Sequence, residues 1–341
     1  LSPHGRHTNV THTHHIKMAS KPIVFVSRGA PPEPLKDLAT VCEIRQWKEQ
    51  HVISREEMVK NARGVHALFV HPPDRVDAEL LDAAGPQVKV VGTMSVGLDH
   101  VDVTECRKRG IAVGYTPGVL TTAVAELAVG FLLATARRMS EAFRAVHNGV
   151  WGTRWDNALW MTGAEVAGST VGIVGLGRIG MAVAKRLKAF EPARILYCGH
   201  SAKPCAKEVG AEFLSFKELL SSSDFVIATC SVSADNQHLF DKEAFSAMKT
   251  SAIFINVTRG ALVDQDALLQ ALTSGQIAAA GLDVTTPEPL PPNHPLLQLP
   301  NCSVLPHLGS ASHRTRTDMC RITVNNILAG LRGEPLPSPI P

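Results

Sequence analysis

The stretch STVGIVGLGRIG (169–180) places a β-branched apolar run directly before Gly175, Gly177 and Gly180, with a helical pattern following to about Phe190. In this strand, turn and helix setting each glycine has its own role: a tight turn, backbone approach to a pyrophosphate, and close packing of helix on strand. The bland alternative is a glycine-rich turn in an ordinary α/β crossover. Outward from this turn, RILYCG (194–199), DFVIATC (224–230), AIFINV (252–257), IAAAGLDV (277–284) and CSVLPH (302–307) continue the pattern. Six short strands separated by helical segments predict a doubly wound nucleotide-binding domain. Upstream, PIVFVSR (22–28), VHALFV (65–70) and VKVVGTM (88–94), with a helix over AELLDAAG (78–85), predict a second parallel α/β layer. TTAVAELAVGFLLATARRM (121–139) predicts a long, well-buried helix capped by Thr121 or Thr122, and Thr315 to Leu331 a last helix ending at Gly333. No repeat is found beyond the two α/β halves.

A chain of 341 residues has room for about two domains. Its 45% hydrophobic and 19% charged residues exclude wholesale disorder and collagen-like composition. Lys+Arg 34 against Asp+Glu 31 leaves +3, too little to point to a nucleic-acid partner. Of 15 histidines, five (His4, His7, His12, His14, His15) sit in the opening LSPHGRHTNVTHTHHIKMAS (1–20). That segment reads as a disordered leader, with Met18 as the natural start and no carboxylate or Cys beside the histidines to build a metal site. It lacks a secretory apolar stretch, and PLPSPIP (335–341) carries no peroxisomal signal, so the expectation is cytoplasmic, with an organellar copy left open. Seven cysteines (Cys42, Cys106, Cys198, Cys205, Cys230, Cys302, Cys320) never form C-x-x-C, which argues for a reducing compartment and against structural zinc. The longest apolar run, about Ala123 to Ala136, is broken by Glu126 and followed by Arg137 and Arg138, so no membrane span is expected.

A site for NAD normally carries Asp or Glu about 20 residues beyond the glycines, binding the adenosine ribose. Here the second strand ends YCGHSAK (197–203), with His200, Ser201 and Lys203 and no acid. A hydroxyl, an imidazole and an ammonium suit a 2′-phosphate, so NADP(H) is favoured and NAD(H) weaker; the alternative makes Lys203 a solvated loop residue. Three features stand at predicted strand ends, where ligands bind in such sheets: Asn256-Val257-Thr258-Arg259-Gly260, Gly281-Leu282-Asp283-Val284 with Pro287-Glu288-Pro289, and Pro306-His307-Leu308-Gly309-Ser310. An Arg can grip a carboxylate, a His can pass a proton near neutral pH, and a Glu can hold the His and raise its pKa. Together they describe reduction of an oxo acid. Singly, Arg259 could be a surface ion pair, Glu288 an exposed loop acid and His307 a satisfied core histidine.

TMSVGLDHVD (93–102), GYTPGVLTTAVAELAVGFLLATARR (114–138), VGIVGLGRIG (171–180), FINVTRGALVD (254–264), AAAGLDVTTPEPLPPNHPLL (278–297) and VLPHLGSASHRTR (304–316) together make the chain resemble the D-isomer-specific 2-hydroxyacid dehydrogenases over essentially Lys21 to Pro337. The resemblance is strongest to the branch that reduces glyoxylate to glycolate and hydroxypyruvate to D-glycerate with NADPH. It implies an α/β fold of two Rossmann-like or flavodoxin-like parallel-sheet domains: a substrate domain of 21–119 plus 313–341, and a cofactor domain of 120–312 inserted into it. It further implies a homodimer through 120–165, a small 2-oxo or 2-hydroxy acid as the other partner, and no metal.

By position, the resemblance implies Arg259, Glu288 and His307 as the catalytic set, with His307 as proton donor. Val96 and Gly97 would hold the substrate carboxylate, with Leu308, Gly309 and Ser310 beside it and Trp155 reaching in from the partner; Trp151 as plain interface packing is the competing view. Asp283 would stand near the nicotinamide carboxamide, and Ser231, Val257, Gly309, Gly177, Arg178 and Ile179 at the cofactor. Where close relatives place arginines, His200 and Lys203 imply a pH-sensitive phosphate contact. Two rivals keep the fold. A phosphoglycerate-type dehydrogenase predicts an acid at position 200, and a cofactor-sensing corepressor would keep Arg259, Glu288 and His307.

Overall fold

The computed structural model describes residues 21–341; the stretch 1–20, with the expected leader and Met18 start, lies outside them. Apolar β-branched runs form two sheets in which every strand pairing is parallel. The first holds β1 (Ile23–Val26), β2 (Glu43–Gln46), β3 (Ala67–Val70), β4 (Val90–Thr93) and β5 (Ala112–Gly114), in the order β2-β1-β3-β4-β5. The second holds β6 (Thr170–Val174), β7 (Arg194–Cys198), β8 (Ala211–Phe213), β9 (Phe225–Ala228), β10 (Ile253–Asn256), β11 (Ala279–Leu282) and β12 (Cys302–Val304), in the order β12-β11-β10-β9-β6-β7-β8. Chain order reverses at β1/β3 in one sheet and at β6/β9 in the other, the switch points outside which open α/β sheets bind ligands.

The second sheet has seven strands where the sequence predicts six, and β2, β5 and β8 all escape the sequence reading. Each is an edge strand. With hydrogen bonds on one side only, these strands carry exposed or half-exposed residues such as Glu43, Arg45, Ala112 and Glu212, so their apolar signal is weak.

Helix Thr121–Ala136 corrects a second expectation: neither Thr121 nor Thr122 caps it. Leu120 already has helical backbone angles, and the Thr121 N–H closes on the Gly118 carbonyl at 3.1 Å, so no hydroxyl is required. Burial covers only part of this helix. Ala125, Ala128, Leu132 and Thr135 are buried, while Thr122, Glu126 and Gly130 face outward.

The last helix, His313–Arg332, returns to the first sheet. The Ser312 hydroxyl accepts from the Thr315 N–H at 3.2 Å, and Gly333 (φ 72°) ends the helix. Its Met319, Cys320, Val324 and Ile327 join Val90 and Met94 in one core, and it packs against helix Pro32–Val41. Among the described residues no helix is long and apolar enough to cross a membrane, and all seven cysteines are free.

Candidate active site

The loops leaving the carboxyl ends of β1, β3 and β4 face those leaving β9, β10, β11 and β12 across a cleft of about 960 Å3. It brings together Val96, Gly97, Ile179, Ser231, Val257, Arg259, Asp283, Glu288, His307, Gly309 and Ser310.

His307 lies just past β12 with φ 54°, a left-handed conformation uncommon for a side chain of its size. Its backbone N–H donates to the Asp283 carbonyl at 2.9 Å, and its Nδ1 lies 2.8 Å from Glu288 Oε2. Both side chains are about one third exposed. Burial disfavours the Glu288 carboxylate, but the hydrogen bond and charge of His307 more than offset this and hold Glu288 below the usual carboxylate range. The Thr285 N–H, at 3.1 Å from Oε1, anchors the other oxygen. With Nδ1 engaged, Nε2 is the ring nitrogen left to exchange a proton.

Arg259 follows β10. Buried Asn256 clamps this loop, donating from Nδ2 to the Arg259 carbonyl (3.0 Å) while its Oδ1 accepts from the Thr258 N–H (3.0 Å) and hydroxyl (2.7 Å). The guanidinium lies close against the loop after β4: a Cβ on Gly97 would overlap Arg259 Nη2. Arg259 Nε donates to Asp99 Oδ1 at 3.2 Å. Among the described residues this is the only ion pair joining 21–119 or 313–341 to 120–312. Burial works against ionised Asp99, and Arg259 outweighs it, leaving Asp99 below its ordinary value.

The same loop is braced from beneath. Buried His100 Nε2 meets Thr93 Oγ1 at 2.8 Å, Thr93 meets Ser95 Oγ at 2.8 Å, and Ser95 donates to the Gly97 carbonyl at 2.7 Å. Burial lowers His100 to about 4, so it is neutral at pH 7.

Asp283, at the end of β11, accepts from the backbone N–H groups of Leu308 (2.6 Å) and Gly309 (2.8 Å). Burial raises its pKa in spite of these two donors.

The glycine turn fits a dinucleotide. Gly175 (φ 98°) packs against Cys230, whose Cα would lie 2.7 Å from an added Cβ, and a Cβ on Gly180 would meet the Gly175 carbonyl. Gly177, the residue before helix Arg178–Leu187, faces open space with nothing within 4 Å, as backbone approach by a diphosphate requires.

Some expected residues lie elsewhere. Gly175, Gly177, Arg178 and Gly180 form the turn itself, outside the cleft lining. His200, Ser201 and Lys203 are exposed beyond β7 on a loop pinned where the Lys203 N–H donates to Tyr197 Oη at 2.7 Å. Leu308 faces outward, and Trp155, 73% exposed, stacks edge-on with Trp151 away from the cleft. The sequence reading missed Asp99 and the His100–Thr93–Ser95 brace. Their only signal was the motif TMSVGLDH (93–100).

An arginine seated against the Gly97 backbone, a His–Glu pair and a phosphate turn, all at the ends of parallel strands, are the parts of a dinucleotide-linked oxidoreductase acting on acids. Residues 129–309 match the model of the D-isomer specific 2-hydroxyacid dehydrogenase, NAD binding domain, and the chain belongs to this family. It is 53% identical over 318 residues to the glyoxylate reductase/hydroxypyruvate reductases of Mus musculus and Homo sapiens, covering 92% of this chain and 96% of each relative. A Thermus thermophilus protein of known structure superposes with a TM-score of 0.87 at 42% identity, covering 94% of this chain and all of that one. An NADPH-dependent glyoxylate/hydroxypyruvate reductase from Sinorhizobium meliloti, solved with NADP and malonate, superposes at 0.81 with 33% identity, covering 94% and 97%. Among the described residues no group of three or more His, Cys, Asp or Glu is placed to hold a metal ion.

Proposed function

We propose that this protein reduces glyoxylate to glycolate and hydroxypyruvate to D-glycerate with NADPH. The observation that carries the reading is a single cleft in which His307 is paired to Glu288 at 2.8 Å and Arg259 is seated on Gly97. The dinucleotide, when bound, supplies a hydride. Arg259 and the amides of Val96 and Gly97 hold the substrate carboxylate, Asp99 aims Arg259, and His307 delivers a proton from Nε2 to the oxo oxygen. Glu288 fixes the imidazole's orientation and stabilises its charged form. Leu308, Gly309 and Ser310 flank the substrate. Ser231, Val257 and Gly309 would hold the cofactor with Asp283 near its nicotinamide, and Gly177, Arg178 and Ile179 would hold it at the glycine turn.

NADPH is preferred over NADH because no carboxylate stands from 199 to 207, while His200, Ser201 and Lys203 offer donors to a 2′-phosphate. The substrate domain of 21–119 plus 313–341 and the cofactor domain of 120–312 close on each other to exclude water. Two copies pair through 120–165, where Phe143, Val146, Trp151, Trp155 and Leu159 are exposed, and Trp155 reaches the partner's cleft. Purified protein with glyoxylate or hydroxypyruvate and NADPH, followed at 340 nm, should oxidise NADPH with both acids. No oxidation with either would sink the reading.

A further inference from the structure

On the first-sheet side of the cleft stand two guanidinium groups that the proposed reduction does not use. Arg28 follows β1, and Arg316 lies in the first turn of helix His313–Arg332; both line the cleft beside His71. The Arg316 side chain makes no hydrogen bond or ion pair among the described residues, although burial pushes it below the usual guanidinium value and Arg28 adds to the shift. Arg28 holds Asp74 Oδ1 through Nη2 at 2.8 Å, but its buried Nε has no partner.

The neighbouring acids are already engaged. Asp74 Oδ2 accepts from the Ser27 hydroxyl and from the His71 N–H at 2.8 Å. Asp283, whose charge acts on Arg316, accepts the Leu308 and Gly309 N–H groups. A half-buried guanidinium without a hydrogen-bonded partner is costly to keep, and its planar fork is matched by a carboxylate.

We propose that Arg28 and Arg316 form a subsite for a second carboxylate, so that the cleft takes 2-oxo dicarboxylic acids besides monoacids. The proposal rests on the reductase reading, in which Val96, Gly97 and Arg259 hold the first carboxylate. Bond changes are confined to the oxo group. The C2–O π bond breaks, carbon gains hydride from the reduced dinucleotide, oxygen gains a proton, and the distal carboxylate is unchanged.

A matched four-carbon pair tests it: 2-oxobutyrate against 2-oxobutanedioate, each with NADPH, in the wild type, Arg316→Gln and Arg316→Lys. Arg316 is the cleaner site, because Arg28→Gln would also strip Asp74 of a partner. Wild type should favour the dianion about tenfold in kcat/KM, as expected for one charge-assisted contact. Arg316→Gln should bring that ratio near one, and Arg316→Lys should keep part of it. Malonate, a non-reacting dianion, should raise the Tm of the NADP-loaded wild type far more than acetate does, and lose this advantage in Arg316→Gln. A wild-type ratio at or below one, or a ratio unmoved by Arg316→Gln while glyoxylate is still reduced, overturns the subsite. Absence of turnover with every oxo acid, glyoxylate included, instead removes the reductase reading, and the malonate shift then decides the subsite alone.

Discussion

Two histidines line the two sides of one cleft, each beside a carboxylate, and they differ in nearly everything that governs protons. His307 meets Glu288 directly through Nδ1 at 2.8 Å, with both side chains about one third exposed. His71 lies 3.8 Å from Asp74, with side chains only 6% and 2% exposed, and its Nδ1 faces the Ser27 hydroxyl at 3.1 Å. Burial first, then the positive charges of Arg28 and Arg316, pushes His71 down to about 3 in spite of Asp74. A histidine next to an acid is therefore no proton donor in itself. Solvent access and the sign of the surrounding charge decide whether an imidazole can take up a proton, and at His71 both oppose the charged form.

The contrast can be broken most directly at His307. His307→Ala should lower kcat roughly a thousandfold, within the range lost with a positioned acid–base group, while NADPH affinity measured by fluorescence stays within about twofold. A variant retaining a tenth of wild-type turnover would remove His307 from the chemistry. Glu288→Gln keeps a hydrogen-bonding partner and loses the charge. It should lower kcat about thirtyfold, with KM less affected, since the imidazolium loses its counter-charge.

Asp99 joins the two sides through Arg259, so Asp99→Asn should raise KM for glyoxylate about tenfold and change kcat by less, as expected for a loosened substrate grip. An unchanged KM would leave Asp99 as a bystander.

A last effect concerns the buried His71 and His100, and it is read from stability. Because His71 and His100 have folded values of about 3 and about 4, below the ordinary 6.5, the unfolded chain binds protons that the native one refuses as pH falls. Stability is therefore fully present above pH 6.5 and declines below it, by about 3 kcal/mol for the His100 shift alone by pH 4. The Tm measured from pH 7 to 4 should fall, and His100→Gln should lessen the fall, leaving the part due to His71. A flat wild-type profile would mean that both imidazoles can be protonated in place.

Much of this was legible in the residues. Gly175, Gly177 and Gly180 announce the turn because a backbone conformation and two close approaches each exclude a side chain, and central strands such as FVIA (225–228) carry unbroken apolar runs. His307, Glu288 and Arg259 were visible as polar groups at strand ends. What stayed hidden depends on partners far away in the chain. Asp99 meets Arg259 across 160 positions, Arg316 gains meaning only beside Arg28, and nothing local separates His71 in LFVHPPD from an ordinary loop histidine. The edge strands β2, β5 and β8 escaped for the complementary reason: their residues answer partly to solvent.

Helix His313–Arg332 covers a sheet whose strands were all made before residue 115. On a ribosome adding ~5–20 residues per second, the 193 positions from 120 to 312 take roughly 10 to 40 s to emerge. For that interval the face of β4 that Val324 and Ile327 will occupy is an unroofed apolar surface, while the strands and helices of the intervening segment are completed around it. The first sheet to be synthesised is thus the last to be finished.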